Sequence, residues 1–168
     1  MAGAVRLAGE AALRTGSGLV TVATHPTHAM VLNGNRPELM VGSIDHSDEL
    51  MPFLMRASVI AIGPGLGQTT WSQAMWTVAL NTKLPKVVDA DALNLLAKTP
   101  YHSNQWILTP HPGEAARLLN CETVDIECDR VKAIQQLQQR YGGVVVLKGA
   151  GTLILGEEGL VFCTAGNP

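Results

Sequence analysis

The chain is poor in aromatics, in charge and in cysteine, and each shortage excludes something. Only 4% of its 168 residues are aromatic, against 17 glycines, which favours tight turns over base-stacking platforms. Charged residues make up 15% and the net charge is -2, so neither a nucleic-acid surface nor a polybasic membrane face is expected. No apolar run approaches the ~20 residues of a membrane-spanning helix, and no secretory signal opens the sequence. The three cysteines, Cys121, Cys128 and Cys163, are odd in number and lack metal-ligand spacing. Reduced thiols in a cytoplasmic protein are the reading that follows. Hydrophobic residues reach 46%, enough for a real core and for a single domain over residues 1–168.

What is present alternates. Residues 4–15 read as an Ala- and Leu-rich helix stopped by Gly16, followed by the β-branched run "GLVTVAT" and a second strand, "ELMVGSI". "HSDELMPFLMRA" reads as a helix with Pro52 inside it. "SVIAIGPGLG" is a strand running into glycines ahead of a helix over 69–82. The same grammar recurs in "KVVDADALNLLA" and "QWILTPHPGEAARLL". A polar helix near 124–141 precedes "GVVVLKGAGTLIL", two strands around a glycine turn, and "LVFCTAGNP" closes with a strand that stops in a turn. Strands alternating with helices predict an α/β fold, a three-layer α/β/α sandwich whose mostly parallel sheet carries an antiparallel edge.

In such sheets ligands sit beyond the carboxyl ends of the strands, and four turns fall there. Gly63-Pro64-Gly65-Leu66-Gly67 leads into a helix and has two open readings: an anion cradle, or a tight turn needing positive φ. It is neither a Walker loop nor a G-x-G-x-x-G fingerprint. In "DADALN", Asp91 suits a helix N-cap, while Asp89 could organise a metal or a ribose hydroxyl. In "TPHPGE", Pro110 and Pro112 hold Thr109 and His111 extended, which aims the imidazole rigidly, and Glu114 falls in the first helical turn. The competing reading is a plain capped helix start; the double proline favours a ligand-facing His111. "LKGAGT" places Lys148 against small residues that let a backbone approach a phosphate or purine closely. His25, His28, His46 and His102 fall in expected loops and receive no role, and Trp71, Trp76 and Trp106 read as core or interface residues.

Together "GAVRLAGEAALRTGSGLV", "IGPGLG", "DADALNLLA", "LTPHPGEAARLL", "YGGVVVLKGAGT" and "AGNP" resemble the ADP-dependent NAD(P)H-hydrate dehydratases, ribokinase-like metabolite-repair enzymes. The resemblance spans essentially the whole chain. It implies a lyase that restores hydrated NADH or NADPH, with ADP as phosphoryl-donating co-substrate, Mg²⁺ as cofactor and a homo-oligomeric assembly. It implies contacts with the hydrated dinucleotide at Ala4, Gly67 and His111. It places the adenine nucleotide along Lys148, Gly149, Ala150, Gly151 and Thr152, and Glu114 near Mg²⁺ and phosphate.

The family pattern continues past "AGNP" into a glycine-rich segment ending in Gly-Asp, which supplies an anion hole and the catalytic base. It also begins before Met1. The expectation is therefore a partial ribokinase-like domain, 1–168, with no catalytic residue of its own and little or no dehydratase activity. Two other readings stand beside it: a vitamin-precursor kinase of the same superfamily, against which the histidine of "TPHPGE" argues, and a nucleotide-binding non-enzyme.

Overall fold

The computed structural model describes residues 2–32 and 36–165. Gly166, Asn167 and Pro168 of the expected closing turn lie outside the described residues. The chain forms two compact units, residues 1–84 and 85–168.

The first unit opens with α1 (Ala2–Arg14), then β1 (Thr21–Thr24), α2 (Pro26–Leu32) and β2 (Met40–Ser43). β1 and β2 pair in parallel, Val22 opposite Val41. Val22, Leu32 and Leu39 form one buried cluster, against which Ala2, Val5 and Leu13 of α1 pack. α2 corrects the reading of this stretch as loop, since His28 lies within it and His25 precedes it. Its single turn pair is too short for periodicity to stand out, and burial of Leu32 is what holds it.

The expected helix over 46–57 is instead a 3-10 turn, Ser47–Leu50, and a one-turn helix, α3 (Met51–Leu54). Pro52 sits at the start of α3, where its missing N–H costs nothing, and it cannot continue the preceding turn. β3 (Ile60–Ile62) leads through the glycine turn to α4 (Thr70–Leu80), which Thr69 caps by accepting from the Ser72 N–H at 3.3 Å. Ile44, Leu50, Leu54 and Met75 make the second cluster of this unit, with Phe53 and Trp71 against it.

The second unit carries β4 (Lys86–Val88), α5 (Asp91–Lys98), β5 (Trp106–Leu108), α6 (Pro112–Leu119), α7 (Thr123–Cys128), α8 (Arg130–Tyr141), β6 (Val144–Leu147), β7 (Thr152–Gly156) and β8 (Gly159–Cys163). β4, β5 and β6 run parallel, in register Val87–Ile107 and Ile107–Val144. β7 and β8 then turn antiparallel, which is the expected edge. The single helix read over 124–141 is broken: Asp129 leaves helical geometry and its carboxylate caps α8, accepting from the Lys132 N–H at 2.9 Å. An aspartate makes a better N-cap than an interior helical residue, so the break is local chemistry.

The core of this unit is aliphatic: Val88, Leu96, Leu108, Ile134, Leu137, Val145 and Leu147 are fully buried. Tyr141 is buried with them, and its hydroxyl donates to the Leu118 carbonyl at 2.8 Å. The buried Trp106 indole donates to the Tyr141 backbone carbonyl at 3.1 Å, so the polar end of each aromatic is met by a main-chain carbonyl. Trp76 and Trp106 are thus core residues, as expected. Among the described residues no helix is long and apolar enough to cross a membrane.

Candidate active site in the second unit

Three adjacent parallel strands end on three of the candidate segments: β4 on Asp89, β5 on "TPHPGE" and β6 on Lys148. The strand order alone therefore gathers residues that are far apart in sequence. The Thr109 N–H donates to the Val88 carbonyl at 3.1 Å, and the Lys148 N–H to the Pro110 carbonyl at 2.9 Å. These bonds extend the pairing past the strand ends and stitch the segments together.

The side chains then converge. The Lys148 ammonium donates to Asp89 Oδ1 at 2.8 Å and lies 3.9 Å from Glu114 Oε2. Glu114 is 95% buried by its fold, with a relative exposure of 5%, yet a carboxylate is tolerated there because its oxygens are met. The His111 N–H donates to Oε2 at 2.9 Å, and His111 Nε2 lies 3.5 Å from Oε1. Lys148 and Asp89 remain partly exposed, so the cluster faces outward on one side.

His111 is the N-cap of α6: its Nδ1 accepts from the Gly113 N–H at 3.0 Å, and Glu114 completes a capping box. Because Nδ1 accepts, the neutral ring carries its proton on Nε2, on the side of Glu114. The two competing readings of "TPHPGE" are thus compatible. The histidine caps the helix through one nitrogen while half of its side chain stays exposed. The prolines hold this backbone extended under either reading.

Asp91 is not the N-cap of α5. That place belongs to Ala90, with φ 49° and ψ -119°, and Asp91 is the first helical residue. The Ala92 N–H donates to the Asp89 carbonyl at 3.1 Å, so the backbone turns more tightly than an ordinary cap requires. At φ 49° this non-glycine residue is strained, and the surrounding structure must hold it there.

The glycine turn after β6 is an open hairpin loop. Gly149 and Gly151 have φ 152° and 68°, the Thr152 hydroxyl donates to the Gly149 carbonyl at 3.2 Å, and Gly149 and Ala150 are exposed. Arg130, at the start of α8, donates to the carbonyls of Ala150 (2.7 Å), Gly151 (2.9 Å) and Leu147 (3.1 Å). Sequence reading passed over this arginine. Its signal is an arginine directly after a capping aspartate, in the first helical turn, where the dipole disfavours a cation.

In the first unit, Ala4 lies on α1, half-buried. Gly67 ends the glycine turn, where Gly63, Gly65 and Gly67 all have positive φ, at 124°, 70° and 78°. The tight-turn reading of that stretch is therefore met. The Ser72 hydroxyl fixes the turn by donating to the Leu66 carbonyl at 2.7 Å.

An arrangement of this kind, with a lysine, two carboxylates and a glycine hairpin at the carboxyl ends of an α/β sheet, suits the handling of phosphate groups. Solved structures agree on the class. A ribokinase-like superfamily protein from Enterococcus faecalis V583 is 29% identical, with a TM-score of 0.87 over 99% of this chain and 60% of its own. The ADP/ATP-dependent NAD(P)H-hydrate dehydratase of Bacillus subtilis, co-crystallised with ATP and Mg²⁺, is 29% identical with a TM-score of 0.82, over 99% of this chain and 61% of its own. The fold is thus the expected α/β ribokinase-like class.

The family model described as NAD(P)H-hydrate dehydratase matches residues 1–168, and the chain belongs to that family. The bifunctional NAD(P)H-hydrate repair enzyme of Coxiella burnetii is 53% identical over 169 residues, 100% of this chain and 35% of that protein. The chain spans about a third of the length of the first curated relatives it matches, 35%, 32% and 34%.

Proposed function

We propose that the chain is the part of a longer enzyme that holds the ligands for ADP-dependent dehydration of hydrated NADH and NADPH, a lyase reaction of metabolite repair in the cytoplasm. The observation that supports it is the convergence of Lys148, Asp89 and Glu114 beside the Lys148–Thr152 hairpin. In the reaction the ring hydroxyl attacks the β-phosphoryl group of ADP and its proton goes to a base. AMP leaves with the bond electrons. The phosphate ester then departs as inorganic phosphate while the neighbouring ring carbon loses a proton, so the double bond of the dihydronicotinamide reforms.

Residue roles follow from chemistry and from the family likeness. The hairpin of Lys148, Gly149, Ala150, Gly151 and Thr152 holds the nucleotide, and the Lys148 ammonium moves from Asp89 toward phosphate. His111 presents its exposed edge to the hydrated dinucleotide, and Ala4 and Gly67 are proposed as further contacts for it. Asp89 and Glu114 offer two carboxylates, and among the described residues no group of three or more His, Cys, Asp or Glu could hold a metal. Mg²⁺ commonly takes one or two carboxylates and completes its shell with phosphate oxygens and water, so this donor set fits a nucleotide-borne ion. Once there, it would neutralise phosphate charge.

The test is calorimetric titration of the chain and of His111→Ala with ADP–Mg²⁺ and with hydrated NADH. Wild type should bind both; the variant should bind ADP as before and lose hydrated NADH by roughly tenfold, the value of one good contact. A variant that binds both ligands unchanged removes His111 from the site. A wild-type chain that binds neither removes the reading as a whole.

A further inference from the structure

The cation at the start of α8 has no obvious structural reason to be there. Arg130 is the first helical residue, in a turn where a positive charge opposes the helix dipole. No ion pair to it occurs among the described residues, and its Nε is buried without a partner. What it does touch is one loop. Nη1 donates to the Ala150 and Gly151 carbonyls and Nη2 to the Leu147 carbonyl. Gly149 lies directly on the guanidinium: a Cβ there would stand 2.9 Å from Nη2 and 3.1 Å from Cζ.

We infer that Arg130 is a positioning residue for nucleotide binding, one that turns the carbonyls of the Lys148–Thr152 hairpin away from the phosphates. The inference rests on the nucleotide reading above. A carbonyl oxygen facing a phosphate repels it, and a glycine-rich hairpin left to itself has no preference as to which way its peptides face. Arg130 settles this for the Ala150 and Gly151 carbonyls and for that of Leu147 just before the hairpin, and the Thr152 hydroxyl holds that of Gly149. In a trans peptide the N–H points opposite to the C=O. With the Ala150 carbonyl drawn to the guanidinium, the Gly151 N–H therefore points away from it. Backbone N–H groups so arranged make an anion-binding concavity, and the partly buried positive charge beside them adds to it. Only a planar fork can reach three carbonyls at once; a lysine ammonium at the same place supplies the charge without the geometry.

The test compares wild type, Arg130→Lys and Arg130→Gln by calorimetric titration with ADP–Mg²⁺, with amide hydrogen exchange followed in parallel. Arg130→Lys and Arg130→Gln should both lose ADP affinity by roughly tenfold, as expected for a lost hydrogen-bonded arrangement. Exchange at core amides such as Val145 should stay as in wild type, which a merely structural role would not allow. Wild-type affinity in Arg130→Lys overturns the inference, because charge alone would then suffice. Where a variant does not fold, wild type decides: ADP must slow exchange at the Gly151 amide, and ADP binding that leaves that amide unaffected overturns the proposal. A wild-type chain that binds no ADP is a different failure, that of the nucleotide reading, and takes this inference with it.

Discussion

Replacing Glu114 by alanine should destabilise the second unit by about 2 kcal/mol, and the figure can be worked from its contacts. The largest contribution is the bond from the His111 N–H to Oε2 at 2.9 Å, a charge-assisted bond of a kind that contributes ~1.5–3 kcal/mol when its partner is left unmet. This bond is also half of the capping box, so the usual ~1 kcal/mol for a cap is already inside it and is not added again. Burial of the one methylene lost, Cγ, contributes ~0.8 kcal/mol, since Glu114 has only 5% exposure. Against these stands the relief of a carboxylate from a buried place, and loss of the 3.9 Å approach to Lys148, which is long and partly solvated, changes little. Glu114→Gln keeps an acceptor for the His111 N–H and should cost about half as much. Urea unfolding of the three proteins, with exchange at the His111 amide, makes the comparison. An alanine variant within about 0.5 kcal/mol of wild type would refute the reasoning, since the carboxylate would then not be holding the helix start.

Other perturbations test separate parts of the structure. Ala90→Gly should raise stability by about 1 kcal/mol in urea unfolding, because φ 49° is strained for alanine and open to glycine; an unchanged or lower midpoint would contradict the strain. Tyr141→Phe should cost about 1–2 kcal/mol at neutral pH by leaving the Leu118 carbonyl unmet. Burial pushes the Tyr141 phenol up from its ordinary value, so its contribution is fully present below that value, near ~10, and is lost as pH rises through the folded one. Wild-type stability should accordingly fall with rising pH in that alkaline range, and the extra loss should be absent in Tyr141→Phe when both are unfolded at a series of pH values. Gly149→Ala should destabilise the hairpin, since its Cβ would stand 2.9 Å from Arg130 Nη2 at a φ of 152°; exchange at amides 149–152 no faster than in wild type would count against it.

The fold was most legible where the chemistry is local. Runs such as "VVVL" before a glycine turn state both the strand and its end, and β6, β7 and β8 stand where the sequence places them. Legibility failed where one residue type serves two purposes. Pro52 inside an apolar stretch reads as a kink in a long helix, yet a proline is equally at home at a helix start, and only the burial of Leu50 and Leu54 on either side selects the split. Asp129 is the same case in polar surroundings: a periodic pattern continues on both sides of it, and the capping bond to Lys132 N–H, invisible to periodicity, ends one helix and begins the next. α2 carries no such signal at all; its place comes from packing against residues elsewhere in its unit.

The site shows the same division. The backbone geometry of "TPHPGE" and "LKGAGT" was readable because prolines and glycines state it directly. Asp89 was readable only as a possibility, since its partner, Lys148, is 59 residues away and strand order must bring the two together at 2.8 Å. Arg130 was unreadable by any rule that looks for side chains aimed at a ligand, because its guanidinium is spent on carbonyls. What could have exposed it is a mismatch rather than a motif: a cation placed against a helix dipole, directly after the residue that caps the helix. A residue that opposes its local structure is held by something non-local, and here that something is the hairpin proposed to take the nucleotide.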